Sequence, residues 1–312
     1  MELAKSFLSY IIFPPRLPTF SSVRLDTPMS SSTKPREGQL HATSYTSRAV
    51  SLPDDFLVAD PPDATPITYA PIEWASTALP ENGGHYAAVL DGVLSRSECA
   101  QLLAFAEESV TGLAGGDASA WRPALVNAGP GLEVLMTDYR NSDRIVWDNQ
   151  EVMDRLWRRM VTIPEVRDKL ARATTGDTPY VFDRVNERGR YLRYGPGQFF
   201  KPHCDGPYYY EKDGKAYLTF FTIQLYLNDS VEAFASSAEA RAAGATLRGG
   251  ATAFLARRHR NDRGPDRRVD VHPRAGRVLL FQHEALYHSG ERVTAGVKYT
   301  MRTDVLFSSE AA

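Results

Sequence analysis

The chain has 312 residues, 43% of them hydrophobic and 24% charged, with a formal net charge of −2. That is the make-up of a globular protein with apolar residues enough for one large core or two small ones. The balanced charge argues against a nucleic-acid or anionic-membrane partner, no apolar run approaches the ~18 residues of a transmembrane helix, and two cysteines exclude a disulfide framework.

Residues 1–84 are rich in Pro, Ser and Thr and carry no sustained apolar period, so they read as an extended or disordered N-terminal segment. The short apolar run 7–13 after Lys5, or alternatively Arg16 and Arg24 among serines, would fit a weak targeting signal, but the segment reads as a non-targeting tail. No small-residue cleavage site follows, and Met29 is an alternative start. The scarcity of cysteine favours a reducing compartment, and the expected location is cytoplasmic. A catalytic domain is expected over 85–308.

Within that domain, residues 86–90 form an apolar strand candidate. Ser95-Arg-Ser-Glu98 is a capping box in front of Leu102, Leu103 and Ala106, which predicts a helix of about four turns. Val152, Leu156, Trp157 and Met160 predict a second helix over 151–169, broken or kinked at Pro164. From about Arg190 the pattern is β. Over 218–228, Thr222, Gln224, Tyr226 and Asn228 share one face, and Phe221, Ile223, Leu225 and Leu227 the other. Strands 278–282 and 297–307 follow, and in the latter Lys298, Thr300, Arg302 and Asp304 share a polar face. Such strands suit a sheet that lines a wet pocket and packs outward on helices, an α+β but mainly β sandwich or barrel. Residues 230–248 read as an inserted loop or short helix. The basic run 256–268 reads as a solvated loop, or more sharply as a lid that engages an acidic substrate.

The chemistry concentrates in His203-Cys-Asp205 and His288-Ser-Gly290, with Lys298 ten residues past the second histidine. In extended backbone, residues i and i+2 project to the same side, so His203 and Asp205 can reach one ion while Cys204 points away to pack. A second imidazole from a neighbouring strand completes one face of an octahedral metal and leaves the opposite face open, the ligand set of a non-haem Fe(II) oxygenase. Lys298 offers a fixed charge to the far carboxylate of a dicarboxylic cosubstrate. Two other readings share these ligands: a zinc-dependent hydrolase and a non-catalytic jelly-roll binding protein. His283 competes for the distal ligand place, but lacks the following glycine. Arg302 either holds substrate or pairs with a local acid.

The surrounding motifs are Tyr194-Gly-Pro-Gly-Gln-Phe-Phe200 before the triplet, then Tyr226-Leu-Asn228 and Gly249-Gly-Ala-Thr-Ala-Phe254. After the distal histidine come Gly296-Val-Lys298-Tyr299 and Arg302-Thr-Asp304. In this order they resemble the prolyl 4-hydroxylase-like branch of the 2-oxoglutarate and Fe(II) dependent dioxygenases, over residues 86–308. The resemblance implies a double-stranded β-helix (a cupin-like jelly roll) backed by N-terminal helices, with His203, Asp205 and His288 as iron ligands. It implies that Lys298, Tyr194 and Tyr226 hold 2-oxoglutarate. The implied reaction consumes O2, converts 2-oxoglutarate to succinate and CO2, and oxidises a C–H bond, by hydroxylation or by desaturation or cyclisation, with ascorbate in support. The substrate it implies is a prolyl residue, but the insertion at 230–248 and the arginine-rich run depart from the family where a pocket rim is expected. A free amino acid or small metabolite fits as well.

Overall fold

The computed structural model describes residues 35–58, 66–113, 119–257 and 267–309. Its frame is the strand Lys215–Tyr226, whose alternation is visible in the sequence. This strand pairs antiparallel with Lys298–Ser309 on one side and Val278–Gln282 on the other. The larger sheet continues through Ala87–Asp91 and Thr68–Pro71 at one edge and through Arg188–Tyr194 and Asp143–Asp148 toward the other. A second sheet runs Arg268–Val271, Thr252–Leu255, His288–Gly290, Phe199–His203 and Arg140–Asn141. Side chains from both sheets line one cavity, and the fold is the mainly β jelly roll backed by helices that the sequence suggests.

The two faces of the larger sheet separate as the alternation requires. Phe221, Ile223, Leu225, Met301, Val305 and Phe307 enter the main core, where Leu102, Met153 and Leu156 from the helices cover them. Gln224, Thr300 and Arg302 face the cavity instead. Helix Arg96–Val110 begins at the predicted capping box: Ser95 N–H donates to Glu98 Oε2 at 2.8 Å, and the Ser95 side chain accepts from Glu98 N–H. The buried Glu98 carboxylate also takes Arg159 at 2.7 Å, tying this helix to Gln150–Met160. Pro164 stops the second helix and opens a separate one, Pro164–Lys169, because a residue without an N–H is tolerated in the first turn and not in the interior. The 230–248 insertion holds the short helix Ser237–Ala242.

The N-terminal segment departs from expectation. Residues 35–58 and 66–84 are largely extended, but they are packed. Val50, Phe56 and Leu57 are buried in the main core, and Trp74 and Leu79 join Phe254 and Phe281 in a second cluster. Arg155 donates to the carbonyls of Pro53 and Phe56 at 3.0 and 2.5 Å. Their apolar residues are too sparse to show a period, yet each fills a gap under the sheets. The stretches 1–34 and 59–65, including the targeting question, lie outside the described residues.

One turn sets the seam between sheet and helix. Gly276, at φ +77°, accepts from Val93 N–H at 3.0 Å, and a Cβ there would sit 1.7 Å from Leu94 O. Gly276→Ala is therefore expected to cost at least ~3 kcal/mol, or about 6–12 °C in Tm. Gly112→Ala controls for the backbone alone, since Gly112 has the same φ and nothing within 4 Å of its added Cβ. Equal Tm losses in a thermal melt would refute the steric account.

Candidate active site

His203 ends the strand Phe199–His203, and His288 opens the strand His288–Gly290 directly opposite it in register. Asp205 follows two residues after His203. The register therefore assembles the three donors: His203 Nε2 lies 3.5 Å from Asp205 Oδ1 and His288 Nε2 3.7 Å from Asp205 Oδ2. All three ligand atoms fall within 4.8 Å of one another.

Each imidazole is fixed from behind. His203 Nδ1 lies 2.8 Å from Lys201 O and His288 Nδ1 2.9 Å from Leu286 O. A carbonyl only accepts, so Nδ1 carries the proton and Nε2 presents its lone pair toward the shared centre. Burial first, and His203 second, lower the His288 pKa to about 4, which keeps that ring neutral at neutral pH. Burial opposes the Asp205 charge, but Arg302 at 3.2 Å and the two histidines outweigh it and hold the carboxyl well below its ordinary range. Thr222 Oγ1 donates to Asp205 Oδ2 at 2.9 Å. Two imidazoles and one carboxylate, each held by a second hydrogen bond, fit a divalent transition metal.

His283 is placed elsewhere. Its Nε2 bonds Thr219 O at 2.8 Å, and it is not part of the donor cluster. Cys204 also stays out of the cluster, and its sulfur takes a hydrogen bond from Arg257 Nη2 at 3.1 Å.

Lys298 stands in the same cavity, 3% exposed, with Nζ 5.3 Å from the Tyr194 ring and 5.7 Å from the Tyr226 ring. Tyr194 is its direct strand partner, and Tyr226 is tied through its hydroxyl to Thr252 Oγ1 at 2.7 Å. Among the described residues no carboxylate or carbonyl bonds its ammonium, and burial lowers its pKa to about 7. The glycine pair makes room for this side chain: a Cβ on Gly250, at φ +70°, would sit 3.1 Å from Lys298 Cδ.

Arg302 resolves to the ion-pair reading, bonding Asp205 at 3.2 Å and Asp304 at 2.9 Å, while Arg190 takes Asp304 at 3.1 Å. Sequence reading missed Arg190, Thr252, Phe200 and Arg140 as cavity-lining residues. Arg190 was findable, because it precedes Tyr194 by an even number of strand positions. Arg140 was not: its strand is only two residues long. In the basic run, Arg267 pairs with Glu81 and Arg268 with Asp270 and Glu291. The rest, 258–266, lies outside the described residues.

Residues 189–303 match the family model described as the 2OG-Fe(II) oxygenase superfamily. The matched segment contains His203, Asp205, His288 and Lys298. No curated protein matches the sequence. Among solved structures it is similar to a viral collagen prolyl hydroxylase from Paramecium bursaria Chlorella virus-1 in complex with 2-oxoglutarate. That likeness has 18% identity and TM-score 0.39, over 72% of this chain and 97% of the other. A Pseudomonas putida prolyl-4-hydroxylase gives 15% identity and TM-score 0.42, over 75% and 98%. HygX from Streptomyces hygroscopicus, with nickel, 2-oxoglutarate and hygromycin B bound, gives 18% and 0.39, over 74% and 85%.

Proposed function

We propose that this chain is an Fe(II)- and 2-oxoglutarate-dependent dioxygenase that hydroxylates a C–H bond of a prolyl residue, a free amino acid or a small metabolite. The observation that carries this reading is a preformed pair of sites in one cavity. Three donor atoms converge, the two imidazoles already bonded through Nδ1, and beside them stands a buried lysine that no carboxylate among the described residues bonds. A hydrolase on the same ligands leaves that lysine without a task.

His203, Asp205 and His288 would hold iron on one face, and Arg302 and Thr222 would fix the Asp205 carboxylate against rotation. Lys298 would bind the far carboxylate of 2-oxoglutarate in a water-poor setting, where a charge-assisted hydrogen bond is strong. The Tyr194 and Tyr226 rings would flank that ammonium and set the length of the cosubstrate pocket. When bound, Fe(II) with 2-oxoglutarate and O2 supplies the oxidising power, one oxygen atom going to succinate with loss of CO2 and the other to the C–H bond. Ascorbate would serve to keep the iron ferrous.

Anaerobic calorimetry tests the pairing of the two sites. 2-Oxoglutarate is expected to bind Fe(II)-loaded protein one to one, and at least about tenfold more weakly when the metal is omitted, because the keto-acid end then loses its anchor. Equal affinity with and without metal would contradict the joint site.

A further inference from the structure

Four cationic side chains line the cavity: Arg140, Arg190, Lys298 and Arg302. Three of them are accounted for. Arg190 pairs with Asp304, Arg302 with Asp205 and Asp304, and Lys298 is the proposed seat of the cosubstrate's distal carboxylate. Arg140 is the exception. Among the described residues no carboxylate lies within ion-pair distance of it, and its only side-chain hydrogen bond is a long one, Nε to Ser142 Oγ at 3.5 Å.

Arg140 is nevertheless held in place at the reacting end. Its strand pairs with Phe199–His203, with Arg140 opposite Phe200. Its Cζ lies 4.6 Å from the Phe200 ring centroid, and that ring stacks on His203 at 3.8 Å. Burial lowers its pKa to about 10, with Tyr194 and Tyr45 acting against that shift and the Arg144 and Arg302 charges acting with it, so it stays charged at neutral pH. A mostly buried guanidinium without an acid is costly, and the cost is removed when an anion arrives. Once 2-oxoglutarate and metal are in place, every other cation of the cavity has a carboxylate counterpart.

We infer that Arg140 is a specificity-determining residue that binds a carboxylate of the substrate, so that the substrate is a free amino acid or another small organic acid rather than an internal prolyl residue. This rests on the dioxygenase reading above. The planar guanidinium can take a carboxylate through two parallel N–H donors, and a carboxamide of the same shape cannot accept both. The anchored acid would then lie one aromatic ring away from the metal ligands, with its carbon chain along Phe200.

The test uses full-length protein loaded with Zn(II), which binds but does not turn over, and saturated with 2-oxoglutarate. The probes are the free L-amino acids and simple 2-hydroxy acids, each beside its own carboxamide, with internal prolyl peptides blocked at both ends as the neutral arm. Calorimetry is expected to show at least one acid binding, with its amide at least about tenfold weaker. Arg140→Gln should erase that difference and leave 2-oxoglutarate affinity within about threefold, and Arg140→Lys should restore part of it. An acid and its amide binding alike, a blocked prolyl peptide binding where no acid does, or no acid binding at all would overturn the assignment. So would an Arg140→Gln defect confined to 2-oxoglutarate. Failure of wild-type protein to bind 2-oxoglutarate would sink the dioxygenase reading itself, a result distinct from all of these.

Discussion

Replacing Asp205 with asparagine is expected to abolish iron retention and iron-dependent turnover while leaving the fold intact. The carboxylate is the only anionic donor of the cluster, and it sits against both imidazoles and Arg302. Altering groups that merely orient a metal ligand lowers affinity by about 10–100-fold, so removing the charge of a ligand itself should exceed about 100-fold. The amide keeps an oxygen for Thr222 and nearly the same volume, and Arg302 keeps Asp304. Fold stability should therefore fall by no more than about 1–3 kcal/mol. Metal content measured after gel filtration, alongside a melt, separates the two effects. Stoichiometric iron in folded Asp205→Asn would refute the ligand assignment.

The second large effect concerns Lys298. Lys298→Met is expected to weaken 2-oxoglutarate binding by at least about 100-fold, since the variant leaves a buried carboxylate without its charge partner. The same substitution should stabilise the ligand-free protein near neutral pH. The sign follows from the pKa. It falls from 10.5 to about 7 on folding, so between those values the unfolded chain binds more protons than the folded one. Wild-type stability should therefore rise with pH across that window, by a few kcal/mol in all, and the rise should be missing in Lys298→Met. Cosubstrate binding should run the other way, because the ammonium must be present to bind. Above pH about 7 the complex takes up a proton, and affinity should fall by up to about tenfold per pH unit. Calorimetry in two buffers of different ionisation enthalpy reads that proton directly. A pH-independent Kd with no proton uptake would show that Lys298 does not carry the cosubstrate's charge.

Much of this site was legible because strands announce themselves by parity. The even positions 222, 224 and 226, and 298, 300 and 302, could be assigned to one face from their side chains alone, and Gln224, Lys298, Thr300 and Arg302 of that face line the cavity. The H-x-D spacing and the distal histidine likewise need only local extended geometry. What the sequence hid depends on register between distant segments. Nothing in Arg140-Asn141 announces a strand, and its place opposite Phe200 is set by pairing across many residues. The packing of residues 35–58 and 66–84 was hidden for a related reason. Isolated residues such as Phe56 and Trp74 are defined by the gaps they fill, and those gaps exist only after the sheets have formed.

Dioxygenase activity is read most directly as succinate release from 2-oxoglutarate by anaerobically Fe(II)-loaded protein after O2 is admitted, with pools of amino acids, organic acids and proline-containing peptides. Succinate is expected to require both iron and O2, to rise with a pool containing small carboxylic acids, and to disappear in Asp205→Asn. Folded, iron-loaded protein that releases no succinate with any pool would contradict the dioxygenase reading.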